Sequence, residues 1–506
     1  MKKLFILFFL LCFSPKLWSS PEPKKKGEGE NEFIKDDIAY KISENTDEVF
    51  VIYNYSETRD LDIPASVSHN GKTYSVIGIA NGTFFESKVQ SIHLPNTIRW
   101  IDKNSFCSRH IRSVNIPESV TEIGGGAFGF TKIDSVFIPH NVTSIEEGAF
   151  TGMDNLVFFQ VDSLNPAYTT VDGVLYNKSK TTLIAYPAAT RKAVLFRIPD
   201  GVTYIAEYAF YNAEIDSLFI PNSVISIGYC AFVRSKLSNV VISENFIKIN
   251  SATFADCTNL RSIIIPNSVK VIESQSFAGC FKLTSVVIPE NVALIRPRAF
   301  EDCISLDTIQ IPDHVIIALE SFHNTAWYNS QKEEQVLYLG KALYEYKEKY
   351  AKEMEIRMLQ ETEITVREGT RFIVSNAFRN CIGLSKITFP ESLEYIGGKA
   401  FYGCKNLKSI HIPERVKFIY GNSFEYSGLR KIYVYWQTPD SVKIVRSHPI
   451  EACDVPLNIF SPIEGIDYFM LFNDKKCKLI VPKGAKEKYK QASVWNYLKI
   501  VERKTK

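Results

Sequence analysis

The chain has 506 residues, 45% of them hydrophobic and 23% charged, and its 59 Lys and Arg against 56 Asp and Glu leave a formal charge of +3. A balance this near neutral sets up no field that gathers a polyanion, so nucleic acid is not an expected partner. Length alone would allow about three domains of roughly 150 residues, but an internal repeat overrides that prior.

Residues 1–20 open with Lys2 and Lys3, continue through ten apolar residues at 4–13 and end in the small pair Ser19-Ser20. This is the pattern of a secretory signal peptide. Ten apolar residues fall short of the about 17–25 that cross a bilayer, and no later segment comes nearer, so no transmembrane segment is expected. Cys12 follows Leu10-Leu11, and the large residue before it argues against lipid attachment. The expected location is therefore outside the cell, secreted or at the surface. Residues 21–32 read as a solvated linker. Residues 33–80 alternate apolar and polar in Ile38-Ala39-Tyr40-Lys41-Ile42 and Val49-Phe50-Val51-Ile52-Tyr53, which predicts an N-terminal β cap.

From residue 81 to 435 the chain restates one unit. A small residue followed by Phe ends at Phe84, Phe106, Phe128, Phe150, Phe210, Phe232, Phe254, Phe277, Phe300, Phe322, Phe378, Phe401 and Phe424, at steps of 22 or 23 residues outside two long gaps. The other apolar positions keep phase, as in Leu283, Val286, Ile288, Pro289, Val292, Ile295, Ala299, Phe300. A unit of this length cannot close a core alone, but stacked units lay each apolar residue over its counterpart, which predicts a β-rich solenoid. The Leu-x-x-Val-x-Ile segment suits a short parallel strand of β-branched residues. The proline after it, which has no N–H to give to a ladder, marks a corner. Cys257, Cys280, Cys303, Cys381 and Cys404 each fall three residues after a ladder Phe and read as buried thiols. Cys453 and Cys477 lie outside that column and are the better candidates for a bridge in an oxidising compartment.

The phase Leu-x-x-Ile-x-Ile-Pro-x-x-Val-x-x-Ile-x-x-x-Ala-Phe-x-x-Cys, nearly unchanged at residues 260–280 and 283–303, closely resembles the BspA-like, treponemal-type leucine-rich repeat family. The resemblance covers roughly residues 60–435. It implies a leucine-rich repeat solenoid on an exported surface protein, used by some relatives for adhesion to host proteins or to other cells. The repeat residues are core positions, and no functional residue carries over with them.

The gaps hold insertions at about 154–195 and 324–362. The first contains Val174-Leu175-Tyr176 and Leu183-Ile184-Ala185-Tyr186 around a polar turn, and the second contains Val336-Leu337-Tyr338-Leu339 and Ala342-Leu343-Tyr344-Glu345-Tyr346. Each predicts a β-hairpin. Insertions in a solenoid project from one face and often bind, so Tyr176, Tyr186, Tyr338, Tyr344 and Tyr346 are the candidate contact residues, with Tyr168, Trp327 and Tyr328 beside them. The alternative is that these rings only pack the hairpins onto the repeats. A charged run follows at 347–355. Residues 436–506 predict a C-terminal cap: a strand at Leu479-Ile480-Val481, a short helix over 484–492 and a last strand at Ile500-Val501-Glu502.

Gly124, Gly126 and Gly129 satisfy G-x-G-x-x-G, but they straddle Ala127-Phe128 in repeat phase and open no nucleotide-binding helix. There is no G-x-S-x-G, no phosphate-binding loop, no H-E-x-x-H and no Cys-x-x-Cys. No catalytic residue, cofactor or metal site is expected, and the eight histidines read as solvated. These features predict a non-enzymatic exported protein presenting an extended surface to an extracellular protein or glycan, with the oligomeric state left open and a monomer favoured. The alternatives are a carbohydrate-active β-solenoid enzyme, which needs carboxylates and a base converging across coils, and a structural envelope component without a discrete ligand.

Overall fold

In the computed structural model the repeat closes into coils, and each corner has a local cause. The residues described are 29, 31–44, 46–190, 195–331, 333–347, 361–420, 422–445, 477–492, 495 and 498–503. The signal peptide, most of the linker, Cys12, Cys453 and the charged run after Lys347 lie outside them. By internal contacts the chain divides into two units: Met1–Val287 with Ala299–Thr308 and Phe322–Thr325, and Ile288–Arg298 with Ile309–Ser321 and Ala326–Lys506.

In the first unit the strands Glu32–Lys35, Ile38–Ile42 and Glu48–Asn54 form an antiparallel meander, whose last strand pairs in parallel with Lys72–Ile79. From there the sheet edge is carried by two-residue strands. Ile79 registers with Ile101, Ile101 with Ile123 and Ile123 with Ile145, so each coil places its isoleucine over the previous one at the repeat step. Leu195–Arg197, Ser217–Phe219 and Asn239–Val241 form a second parallel row, with Phe196, Leu218 and Val240 in register. Corner prolines accept, through their carbonyl, the N–H of the aliphatic residue three residues on, as from Val120 to Pro117 at 3.1 Å and from Val292 to Pro289 at 3.1 Å in the second unit.

The phenylalanines form columns. In the first unit Phe84, Phe106, Phe128 and Phe150 follow one another at 5.4, 5.5 and 5.7 Å between ring centroids. Phe210, Phe232, Phe254, Phe277, Phe300 and Phe322 continue the pattern at 5.0–5.5 Å. The small residue before each ring is explained by the backbone. The N–H of Phe106 donates to the carbonyl of Ala127 at 2.8 Å and that of Phe232 to Thr253 at 2.9 Å, and the side chains of Ala127 and Thr253 are buried between coils. Each such pair contributes about 0.5–1.5 kcal/mol beyond the area it buries. The thiols serve the same ladder: Cys257, Cys280 and Cys303 in the first unit donate to the carbonyls of Phe232, Phe254 and Phe277 at 3.2, 3.2 and 3.1 Å.

Both insertions depart from the expected projecting hairpin. In the first, Tyr168–Val171, Val174–Asn177 and Thr182–Ala185 make a three-stranded antiparallel sheet, and its last strand pairs in parallel with Tyr204–Ile205. In the second unit Val336–Leu339 and Ala342–Tyr346 form the hairpin, and its second strand pairs in parallel with Phe372–Ile373. Each hairpin therefore supplies the edge strand of a coil. The physical reason is aromatic: Tyr186 stacks on Phe210 at 5.0 Å and Tyr346 on Phe378 at 5.2 Å, so tyrosine stands where the repeat has phenylalanine. The second unit ends in Lys478–Val481, the helix Lys486–Gln491 and Lys499–Glu502, the two strands being parallel.

Candidate binding surfaces

Burial decides which of the five candidate tyrosines can meet a partner. Tyr176, Tyr186, Tyr344 and Tyr346 are buried. The hydroxyl of Tyr346 accepts from the Gln335 side-chain amide at 2.8 Å. These four rings pack the hairpins into the coils and do not present a face to solvent. Tyr338 is half-buried; its hydroxyl accepts the N–H of Arg367 at 3.0 Å, and the Arg367 guanidinium lies 4.3 Å from its ring centroid. Among the neighbours, buried Tyr168 accepts the N–H of Ile145 at 2.7 Å, and half-buried Tyr328 donates to Glu345 at 2.6 Å. Trp327 packs edge-on against Tyr344 at 5.7 Å.

Two surfaces of the first unit were not singled out from the sequence. One is a cleft of about 160 Å³ lined by Arg109, Phe130, Lys132, Asp154, Tyr211, Asn212 and Arg234. Phe130 and Tyr211 meet edge to face at 6.0 Å, and the Arg109 guanidinium lies 5.9 Å from the Phe130 ring. Asn212 donates to Asp154 at 2.8 Å, while Lys132 stands 3.5 Å from the other oxygen of that carboxylate. Three cations against one carboxylate, beside two aromatic rings, make the chemistry of an anion with a ring or apolar face. The contributors lie two to four residues after Phe106, Phe128, Phe150 and Phe232 and just after Phe210. Reading the columns outward from each ladder ring would have aligned all but Asp154 with Asn212, which the insertion separates by 58 positions.

The other surface is the outward column of the parallel-strand row. Phe219 registers with Val241, and Ile264 and Val287 hold the same phase 23 residues on. Val241, Ile264 and Val287 are 50%, 81% and 57% exposed, flanked by the polar side chains of Asn239, Ser262 and Ser285. The Arg197 guanidinium covers Phe219 at 4.9 Å. Alternation explains the column: every second strand residue faces outward, and the repeat fixes only the inward ones.

A carbohydrate-cleaving solenoid requires carboxylates converging across coils, and among the described residues Glu147 and Glu207 make one such approach. Glu147 accepts the Tyr204 hydroxyl at 3.0 Å and the N–H of Glu207 at 2.8 Å. Burial, and then the Glu147 charge, raise the Glu207 carboxyl above its ordinary value. Glu147 is thereby held by donors of the scaffold.

Comparison with known proteins completes the picture. The model of the BspA type leucine rich repeat region matches six copies over residues 52–181, 190–307 and 357–470, more than half of the chain. The chain belongs to this family. A leucine rich cell surface protein from Faecalibacterium prausnitzii is 24% identical, with a TM-score of 0.37 over 56% of this chain and 95% of that one. A leucine-rich repeat protein from Eubacterium ventriosum is 20% identical, with a TM-score of 0.44 over 58% and 94%. One from Bacteroides ovatus is 19% identical, with a TM-score of 0.32 over 93% and 100%. No curated protein gave a significant match. Among BspA-type features, the corner proline, the small residue before Phe and the ladder cysteine all have structural causes here. Among the described residues no helix is long and apolar enough to cross a membrane.

Proposed function

We propose that this BspA-type protein is exported and binds another protein through the outward face of its parallel strands, without catalysis. The observation that carries the reading is the column Val241, Ile264 and Val287, exposed at one phase in successive coils of the first unit. Contiguous exposed apolar surface marks interaction sites, and a preformed scaffold loses little conformational entropy on binding. The flanking amide and hydroxyls supply hydrogen bonds without charge, which favours a protein with an apolar centre over a polyanion. Export rests on residues 1–20.

The test uses residues 21–506, immobilised and probed with arrays of extracellular-matrix proteins and glycans. The triple variant Val241→Ser, Ile264→Ser, Val287→Ser is expected to keep the wild-type melting temperature and lose at least about tenfold in affinity for the captured protein, as the net loss of about seven side-chain carbons from a contact surface implies. Equal capture by both chains rejects this face.

A second reading is favoured by the cleft. An acidic glycan placing its carboxylate or sulfate among Arg109, Lys132 and Arg234, with a sugar face on Tyr211, fits the chemistry of that lining. Capture of uronate-bearing glycans that weakens with salt and with Arg234→Ala would select it.

A further inference from the structure

We propose that Glu118, His140 and Asp162 form a divalent-metal site suited to Zn²⁺. The three residues are 22 positions apart and occupy the corner after the strand in three successive coils of the first unit. One donor atom from each lies within 4.8 Å of the others, and His140 Nδ1 is 2.9 Å from Glu118 Oε2. Donors of a tetrahedral zinc site with bonds of about 2.0–2.2 Å stand roughly 3.3–3.6 Å apart. Torsions of a solvent-exposed Glu118 and a half-buried His140 and Asp162 close that difference.

The backbone beneath the triad is fixed. Asn141 Nδ2 donates to the Glu118 carbonyl at 2.8 Å, and the N–H of Asp162 donates to the Ile138 carbonyl at 3.0 Å. The N–H of Leu164 donates to Asp162 Oδ1 at 2.8 Å, which orients the carboxylate and leaves Oδ2 for a metal. Two carboxylates balance the charge of a divalent ion, and the imidazole shifts preference from Ca²⁺ and Mg²⁺, which take all-oxygen sets, to Zn²⁺. Exposure leaves a fourth position for water. The expectation of no metal site came from motifs within one segment; here the ligands are neighbours only across coils.

Zn²⁺ alone is titrated calorimetrically into the EDTA-treated, dialysed chain, with His140→Ala and Asp162→Asn as comparisons. Wild type is expected to bind one ion saturably and to melt higher with zinc. Substitutions of outer-shell partners already cost about 10–100-fold in metal affinity, so loss of a ligand is expected to cost at least the upper end and to abolish the zinc-dependent rise in melting temperature. Without metal both variants are expected to melt as wild type does, since the side chains are on the surface. Co²⁺ in place of Zn²⁺ is expected to give visible absorption typical of four-coordination in wild type only. Unchanged stoichiometry and affinity in the variants, no saturable binding by wild type, or Ca²⁺ binding that survives His140→Ala would each overturn the site and leave Glu118 and His140 as a polar contact between neighbouring coils.

Discussion

The ring of Tyr186 lies over that of Phe210 with centroids 5.0 Å apart and planes inclined by 20°, close to the 5.0 Å and 28° that relate Phe210 to Phe232. Tyr186 is thus a ladder residue in a coil that the phenylalanine phase does not reveal. Tyr186→Phe should shift the midpoint of urea unfolding by less than the equivalent of about 1.5 kcal/mol, as a volume-conserving change does. Tyr186→Ala should cost about 3–5 kcal/mol by leaving a cavity between Phe196 and Phe210. Equal effects of the two substitutions would show that the hydroxyl, and not the stacked ring, is what the site requires.

Gly228 follows the edge strand Ser226–Ile227, and a Cβ there would stand 2.4 Å from the backbone N and 2.7 Å from the Cα of Glu207 in the preceding coil. Backbone atoms between the ladder bonds of Ala206 and Tyr208, with the Glu207 N–H itself bonded to Glu147, cannot give way as a side-chain tip can. Gly228→Ala should therefore destabilise by about 1–3 kcal/mol or more, read as a lowered melting temperature. Ala substitution at Gly201, with nothing within 4 Å of its added Cβ, separates contact from conformation, because its φ of +99° leaves only backbone strain.

What sequence alone conveyed was the inward half of the molecule. Leu283, Val286, Ile288 and Phe300 announce themselves because each must lie on a like residue, and stacking makes their spacing periodic. Outward residues obey no such rule. Val241, Ile264 and Val287 share a phase with Gln310 and Arg197 elsewhere, so composition at that position carries no signal until exposure is known. The burial of Tyr176, Tyr186, Tyr344 and Tyr346 is hidden from the sequence for a related reason. A hairpin insertion looks like an appendage on paper, but Thr182–Ala185 is followed directly by Tyr186 and Ala342–Tyr346 ends in Tyr346, aromatics that the ladder can use. The cleft and the Glu118, His140 and Asp162 triad needed the opposite step, which is to read across coils at one phase.

Alkaline pH should weaken the fold over a defined window. Burial pushes the Cys257 thiol from its ordinary 9.0 up to about 12, and it pushes the Tyr186 and Tyr40 hydroxyls from 10.0 up to about 12, with Asp36 adding to the last. In each case the folded chain keeps a proton that the unfolded chain releases, so the stabilisation is complete below about pH 9 and is lost as pH rises towards 12. For fully buried Cys257 the slope is up to about 1.4 kcal/mol per pH unit. Melting temperature measured from pH 8 to 11.5 should fall above pH 9, and Cys257→Ala should flatten the first part of that fall. Iodoacetamide should leave Cys257 and Cys280 unmodified in the folded chain at pH 8 and label both in denaturant.

Gln275 sits two residues before Phe277 with a φ of 58°, a left-handed conformation shared at the same phase by Asn104, Cys230, Ala252 and, in the second unit, Lys399. The turn demands it, because the chain must reverse sharply to place each ring in the column. For a residue with a Cβ that conformation costs about 1–2 kcal/mol, whereas glycine adopts it freely but loses about 0.5–1 kcal/mol more on ordering. Gln275→Gly should therefore raise stability by about 0.5–1 kcal/mol. Gln275→Ala keeps the strained Cβ and should leave stability nearly unchanged. A gain from alanine equal to that from glycine would place the cost in the glutamine side chain instead of in its backbone.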